Sequence, residues 1–417
     1  MPKIIAVLAS EILDSRGNPT IQTTVKLDSG HLGTASIPSG ASVSKYEALE
    51  LRDKDPARFS GLGVLTAVDN VNKIIGPKII GLDPSYQSKI DQILIDLDAT
   101  PNKSRLGGNS ILSVSIACLK AAAAAYNLPI YVYLAKKYGL TKDFKHLPTP
   151  TFNIINGGAH GAGNLDFQEF HLIPSSRFPY RQALQIGIEI YKSLKTVLIQ
   201  RHAIHSVGDE GGYAPNLFTN LDALGAIQEA TKLTPYKLTQ DVFLGLDASA
   251  DYFYKNEHYQ IKDRAQPFNR KELINYYKEL NQEFHLFFLE DALFQDDWEG
   301  WIELTEELAE TTLIVGDDLL TTSKELVKKA VSLKACNAIL VKPNQIGTVS
   351  ETVEVVKYCR SNNWKIIVSH RSGETNDTFI ADLAVGLGAD YTKFGAPARG
   401  ERIAKYNRLL EIANDQS

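Results

Sequence analysis

Short apolar runs that each end in a polar residue recur along the second half of this chain, and no other feature constrains its fold as strongly. Val242–Leu246 precedes Asp247, Leu286–Leu289 precedes Glu290, and Leu313–Gly316 precedes Asp317. Ala338–Val341 before Lys342, Ile366–Ser369 before His370 and Tyr391-Thr392 before Lys393 continue the series. After the first interval the spacing settles at about 25 residues, the length of one strand, one helix and two turns. Parallel strands need such crossovers, so the pattern predicts a parallel sheet covered by helices, and six units in a row favour closure into a barrel. Two earlier runs, Thr151–Ile155 and Phe167–Ile173, bring the expected strand count to that of a (β/α)8-type barrel.

The region before residue 140 lacks this rhythm. Ile4–Leu8 and Ile21–Leu27 read as strands around the turn material Asp14-Ser15-Arg16-Gly17-Asn18-Pro19. A polar loop, Ile37–Ser42, leads into a helix-like stretch from Ser44, and helical patterns dominate from Thr66 to Gly139. Asn109 is placed to cap the run Ile111–Tyr126. Lys145–Pro150 resembles a boundary, so the expected organisation is α/β: a smaller α+β domain over 1–140 and a barrel over 141–417. Between the second and third barrel strands, Phe178–Arg201 and Leu221–Lys232 read as helices flanking Val207-Gly208-Asp209-Glu210-Gly211-Gly212.

Bulk properties narrow the partners. The 417 residues are too many for one ordinary compact domain, and 44% hydrophobic with 22% charged residues is a soluble globular mix. Forty-four basic against forty-nine acidic side chains leave a net charge of −5, with no surplus to neutralise a nucleic-acid backbone as main ligand. Cys118, Cys336 and Cys359 are scattered and odd in number, which fits packed thiols in a reducing compartment better than a disulfide framework. The apolar start Met1–Ala9 meets Ser10, Glu11 and Asp14 too soon for a signal peptide, and the alanine run Ala121–Ala125 is too short to span a bilayer.

In a barrel of this kind the residues that end the strands converge at one mouth. Any one of them could be a solvated loop start. Asp247, Glu290 and Asp317 end three successive strands, however, and neighbouring strands lie about 5 Å apart. Ionised carboxylates that close repel one another unless a cation lies between them, and an all-oxygen set favours magnesium, manganese or calcium. Lys342 and Lys393 follow around the mouth. Beside a divalent cation a lysine has its ammonium form disfavoured and can serve as a base near neutral pH, although a salt-bridge network is the plainer alternative. His370-Arg371-Ser372-Gly373 offers donors suited to a phosphate, since arginine binds such groups bidentately.

Glu169 and Glu210 could be ordinary surface acids, or two carboxylates facing a base across the metal site, as acid–base work on a departing hydroxyl requires. The loop Asn156–Asn164 is glycine-rich and could be a lid that carries His160 inward. It lacks the strand–turn–helix context of a dinucleotide-binding loop. Together these parts suit removal of a weakly acidic proton beside a carboxylate, a reaction that needs positive charge where negative charge develops.

Several longer motifs then resemble one family along nearly the whole chain. Ile12-Leu13-Asp14-Ser15-Arg16-Gly17-Asn18-Pro19-Thr20 is similar to the N-terminal signature of the enolases. Asn153–Gly158, Val207–Ala214, Leu340–Thr348 and Ser369–Thr375 look like their barrel motifs, and Gly395–Arg399 with Ala404-Lys405-Tyr406-Asn407 like their closing segment. The resemblance implies a barrel of ββαα(βα)6 order and a lyase that interconverts 2-phosphoglycerate and phosphoenolpyruvate through a magnesium-stabilised dianion. It implies that Asp247, Glu290 and Asp317 hold one magnesium, and that Ser42, in a mobile loop over 39–43, helps hold a second that arrives with substrate. Lys342 would be the base and Glu210 the general acid, with Glu169 beside it and His160 closing over the site. Lys393, His370 and Gln168 would bind or position substrate, with Glu290 and Asp317 also facing it, and Arg371 and Ser372 would take its phosphate. A cytoplasmic homodimer or higher oligomer, with a secondary surface or secreted pool, is the accompanying family expectation.

Four places depart from the common pattern: Ala292 stands where proline is usual, Phe394 where a small polar residue is usual, Gly400 for a common serine, and Val43-Ser44-Lys45-Tyr46 differs from the usual loop. None removes a catalytic group, and Phe394, nearest the chemistry, bears on rate. Racemases and cycloisomerases of the wider superfamily differ at the base, often carrying Lys-x-Lys or a His–Asp pair, and lack the Arg371-Ser372 phosphate site. An inactive paralogue used as an adhesin is the reading from another class, and intact catalytic positions argue against it.

Overall fold

The computed structural model describes residues 1–40, 44–140, 143–161 and 165–415. Strands β1 (Ile4–Leu13), β2 (Pro19–Leu27) and β3 (Leu32–Ser36) form an antiparallel meander. The first turn is built by Asp14, whose Oδ1 accepts from the backbone N–H groups of Arg16 and Asn18 at 2.8 Å each, while Gly17 takes φ +77°. β3 carries no strand signal in the sequence, because Leu32-Gly33-Thr34-Ala35-Ser36 has little apolar bulk.

Helix α1 (Gln87–Asp98) precedes α2 (Gly108–Ala125), which lies across β2 and β3, and α3 (Ile130–Tyr138) follows. The lack of bulk in β3 lets α2 approach closely: a Cβ on Gly33 would stand 2.1 Å from the Ala117 carbonyl oxygen and 2.3 Å from the Ala121 nitrogen. Ala117 and Ala121, one turn apart on the same face, serve the same approach and are fully buried. By length and hydropathy α2 could cross a membrane, but 83% of it is buried, which makes it a core helix.

Two expectations here fail. Residues from Ser44 onward form a turn, with the Glu47 N–H on the Ser44 carbonyl, and then an extended segment. That segment finds its hydrogen bonds across the chain: Ala48 N–H donates to Gln345 O, Leu49 N–H to Asn102 O, and Leu51 pairs with the Asn109 carboxamide at 3.1 and 3.2 Å. Asn109 is therefore not a helix cap. It lies in the first turn of α2 and clamps Leu51, while Gly107 occupies the cap position.

The barrel strands are β4 (Thr149–Asn156), β5 (Glu169–Pro174), β6 (Val242–Asp247), β7 (Leu286–Glu290), β8 (Leu313–Gly316), β9 (Ala338–Val341), β10 (Lys365–Ser369) and β11 (Tyr391–Lys393). They close in chain order, β7 pairing with β8 and β11 with β4. Helices α4 (Tyr180–Gln200) and α5 (Asn220–Lys232) both follow β5, and thereafter α6 (Arg270–Phe284), α7 (Trp298–Leu308), α8 (Lys324–Leu333), α9 (Val349–Ser361), α10 (Phe379–Leu387) and α11 (Gly400–Asp415) alternate with strands. Polar side chains cap the starts of α5 to α9, namely Thr219, Asn269, Asp297, Ser323 and Thr348, and Thr219 and Asn269 form full capping boxes.

One strand runs against the rest. β5 is antiparallel to both β4 and β6, in register Asn156 opposite Glu169 and Glu169 opposite Asp247. Its first residue thus stands level with the last residues of its neighbours, and Asp247 in turn pairs with Glu290. The reversal is what puts Glu169 at the mouth. Beneath it the barrel interior is filled by Ile173, Phe288, Val315, Leu340 and Ile367, with Gly245 leaving room for the Phe288 ring.

Candidate active site

At the mouth, Lys393 Nζ sits 2.8 Å from Asp247 Oδ2, 2.8 and 2.9 Å from the two Glu290 oxygens, and 3.3 Å from Glu169 Oε2. All four side chains are buried. Burial, reinforced by Asp247, pushes the Glu290 carboxyl well above the usual range, and burial raises Asp247 despite Lys393. Glu169 is held well below that range: burial opposes this, but Lys393 and the two histidines beside Glu169 outweigh it. Gln168 donates weakly to Asp247 Oδ2, at 3.5 Å.

Asp317 belongs to a second group. Its Oδ2 meets Lys342 Nζ, and its Oδ1 accepts from Gln345 Nε2 at 2.9 Å. Lys342 keeps Asp317 low against the effect of burial, and Asp317 keeps Lys342 protonated in return. Asp291 and Asp318 stand close by, and the three aspartates offer oxygens within 4.8 Å of one another. Burial and Asp317 push Asp318 up to about 8. The expected trio is therefore brought to one mouth but divided in the protein alone, Asp247 and Glu290 around Lys393 and Asp317 around Lys342.

This donor set fits a hard divalent cation. Asp247, Glu290, Asp291, Asp317 and Asp318 offer only oxygens, and the two lysines cannot balance them. Burial first, and then the neighbouring carboxylates, raise Glu290 and Asp291 well above the usual carboxylate range. Ser42, the expected ligand for a second ion, lies outside the described residues.

The other side of the mouth holds the acid residues. Strand β5 lies four strands around the barrel from β9, so Glu169 faces Lys342 across it. His160 Nδ1 stands 3.6 Å from Glu169 Oε1 and 3.4 Å from Glu210 Oε1, with a side chain only 6% exposed. Burial acts to lower His160, but Glu210 and Glu169 outweigh it and raise the imidazole above its ordinary value. Glu210 also accepts from Asn153 Nδ2 at 2.9 Å and from Ser372 Oγ at 3.1 Å. Burial and Glu169 act to raise it, but His160 and His370 together hold it low.

His370 has a fixed tautomer. Its Nδ1 lies 2.6 Å from Arg402 Nη1, a group that can only donate, so the ring proton is on Nε2, which points at Glu210 3.5 Å away. Burial lowers His370, Arg402 adds to this, and Glu210 opposes it. Arg371 pairs with Glu47, Nη1 to Oε2 at 2.9 Å and Nη2 to Oε1 at 3.3 Å, and reaches Asn344 Oδ1 at 3.2 Å. Ser372 Oγ also lies 3.1 Å from His160 Nε2.

All the described site residues named from sequence, Glu290 excepted, line one pocket at the mouth, and Glu290 lies against it through Lys393. Two of the departures stay out of its lining: Phe394 is fully buried against Tyr406, and Ala292 offers its carbonyl to Tyr277. Several contributors were missed. Glu47 was assigned to a helix that does not form, and Asn153 and Gln345 lay inside quoted motifs without a charge to flag them. Arg402, fully buried, also donates to the carbonyls of Arg371 and Ser372 at 2.6 Å each and so shapes the 370–372 loop. A lone arginine on a helix carries no sequence signal for that role.

Comparison with known proteins agrees across the chain. Residues 4–134 match the family model described as enolase, N-terminal domain, and residues 144–417 match that of enolase, C-terminal TIM barrel domain. A relative from Helicobacter pylori (strain HPAG1), named enolase, is 46% identical over 408 residues, covering 98% of this chain and 95% of that protein.

Proposed function

Because the chain belongs to the enolase family, we propose a division of that reaction among its own residues. It is a lyase, a phosphopyruvate hydratase, which reversibly dehydrates 2-phospho-D-glycerate to phosphoenolpyruvate. The family implies a divalent metal, and the oxygen-rich mouth suits one.

Lys342 is the base that removes the C2 proton, and Glu210, with Glu169 and His160, assists departure of the C3 hydroxyl. The observation that carries this reading is the separation of the two groups, a lysine ending β9 and a histidine-linked carboxylate pair at the opposite rim. A base on one side and an acid on the other fit removal of a proton and a hydroxyl from adjacent carbons. His160 supplies the proton that Glu210 passes to the leaving oxygen. Lys393 and His370 orient the substrate, Gln168 lies beside it, and Arg371 with Ser372 receives the phosphate through charge-assisted hydrogen bonds.

Two magnesium ions per site complete the reading, one on Asp247, Glu290 and Asp317 and the second arriving with substrate at Ser42. When bound, magnesium would supply charge that offsets the negative charge developing on the substrate carboxylate, and Asp317 would then be shared between the ion and the Lys342 ammonium. Residues 1–140 act as a cap over the barrel of 141–417. We also infer a cytoplasmic homodimer or higher oligomer, supported by three free buried thiols and by the exposed Ile5, Leu8 and Leu13 on β1.

Deuterated solvent separates the roles. Lys342→Ala should stop both turnover and exchange of the C2 proton, whereas Glu210→Gln should block product formation while exchange continues, since each residue serves a different barrier. Exchange lost in Glu210→Gln but kept in Lys342→Ala would show the roles to be reversed.

A further inference from the structure

The turn after β9 carries a glutamine to which the scheme above gives no task. Gln345 is 2% exposed, and its carboxamide is engaged at both ends. Oε1 accepts from Thr322 Oγ1 at 2.8 Å, while Nε2 donates to Asp317 Oδ1 at 2.9 Å and to Glu47 Oε1 at 3.4 Å. Thr322 Oγ1 in turn accepts the backbone N–H of Lys342 at 3.0 Å. Since Asp317 Oδ2 meets Lys342 Nζ, the contacts form a closed ring: Lys342 ammonium, Asp317, Gln345, Thr322 and the Lys342 backbone. A long, flexible side chain is thereby fixed at its root and its tip.

The residues around the ring are held in uncommon conformations. Thr321 and Thr322 have φ of 44° and 53°, a region that β-branched residues avoid and that persists only where the surroundings over-determine it. The chemistry of position 345 is equally restricted. Its nitrogen stands between two carboxylates, Asp317 and Glu47. A glutamate there would repel both, and a lysine would compete with Lys342 for Asp317. A neutral donor of this length satisfies both acids and leaves the ion pair intact.

We propose that Gln345 is a positioning residue for the Lys342–Asp317 pair, oriented from the N-terminal part of the chain by Glu47. This rests on the reading of Lys342 as the base. Glu47 also holds Arg371, so the arm that meets the phosphate and the arm that removes the proton share one carboxylate. The N-terminal segment thus reaches the chemistry through Glu47 and through the bond from Ala48 N–H to the Gln345 carbonyl at 2.8 Å.

Gln345→Met keeps the length and removes both polar ends. It should lower kcat and C2-proton exchange together by about tenfold or more, with KM for 2-phosphoglycerate changed by less than about threefold, since a hydrogen bond to a charged group is lost away from the phosphate. Calorimetric titration with magnesium alone should show affinity weakened by about tenfold. Gln345→Glu should be slower still. A purely structural role would lower the melting temperature without this split between kcat and KM. Thr322→Val, close in shape, gives the same readouts in the same direction should the Gln345 variants fail to fold. A folded Gln345→Met enzyme with wild-type kcat, exchange and magnesium affinity overturns the proposal. Lys342→Ala is measured alongside: if it still exchanges, the base assignment falls, whereas an inactive Lys342→Ala beside a normal Gln345→Met removes only the positioning role.

Discussion

Arg371→Ala removes a guanidinium that has two tasks, and the structure lets each be sized. Toward substrate, the lost charge-assisted contact should weaken binding by about 1.5–3 kcal/mol, or roughly tenfold to a hundredfold and more. Toward the protein, it abandons Glu47, which pairs with Arg371 at 2.9 and 3.3 Å and whose side chain is only 4% exposed. Leaving one partner of a buried pair uncompensated costs about 3–5 kcal/mol. With about 2.1 cal/mol/K of unfolding entropy per residue over 417 residues, that lowers the melting temperature by roughly 3–6 °C. The double variant Arg371→Ala/Glu47→Gln removes the stranded charge, so it should regain most of the stability and none of the affinity. Calorimetric binding of phosphoenolpyruvate and scanning calorimetry read the two effects separately. If Arg371→Ala binds phosphoenolpyruvate like wild type, the phosphate lies elsewhere; if the double variant is no more stable than the single one, the Glu47 argument is wrong.

Asp317→Asn removes an anionic ligand and the partner of Lys342, and should weaken magnesium binding about tenfold or more and nearly abolish turnover; near-normal activity at limiting magnesium would refute it. Asp91 offers a pH test far from the mouth. It is fully buried, accepts from Gln87, Ser115 and the Ser350 backbone, and burial raises its carboxyl above the ordinary value. Between that ordinary value, about 3.9, and its raised folded value the native chain binds the extra proton, so its contribution to stability is full at low pH and is lost as pH rises. Relative to Asp91→Asn, wild type should therefore be more stable in urea unfolding at pH 5 than at pH 8, and a pH-independent difference would count against it.

The barrel was readable because each strand ends in a residue of different character from its run, a contrast that survives without knowledge of what packs where. Lys342, Lys393 and the carboxylates carry charge at those ends and so announced themselves. β3 did not, because closeness to α2 selects Gly33 and Ala35 rather than apolar bulk. Ser44–Leu51 was misread as helical because its hydrogen bonds run to Gln345, Asn102 and Asn109, partners that no local pattern can reveal. Gln345 and Arg402 act through geometry in three dimensions. The His370 tautomer likewise became legible only with Arg402 beside it.

The seam between β4 and β11 joins the earliest barrel strand to the latest, and Thr151 Oγ1 meets the Thr392 carbonyl across 241 residues of chain. Bringing such distant segments together costs roughly 5 kcal/mol in loop entropy by the logarithmic rule, a cost that local contacts do not carry. The same strand delivers Lys393, which follows Asp247 by 146 residues and Glu290 by 103. During synthesis the acidic rim is therefore complete long before its lysine emerges from the ribosome. Before β11 joins, Asp247, Glu290 and Glu169 lack that ammonium, so water or added protons have to offset their mutual repulsion.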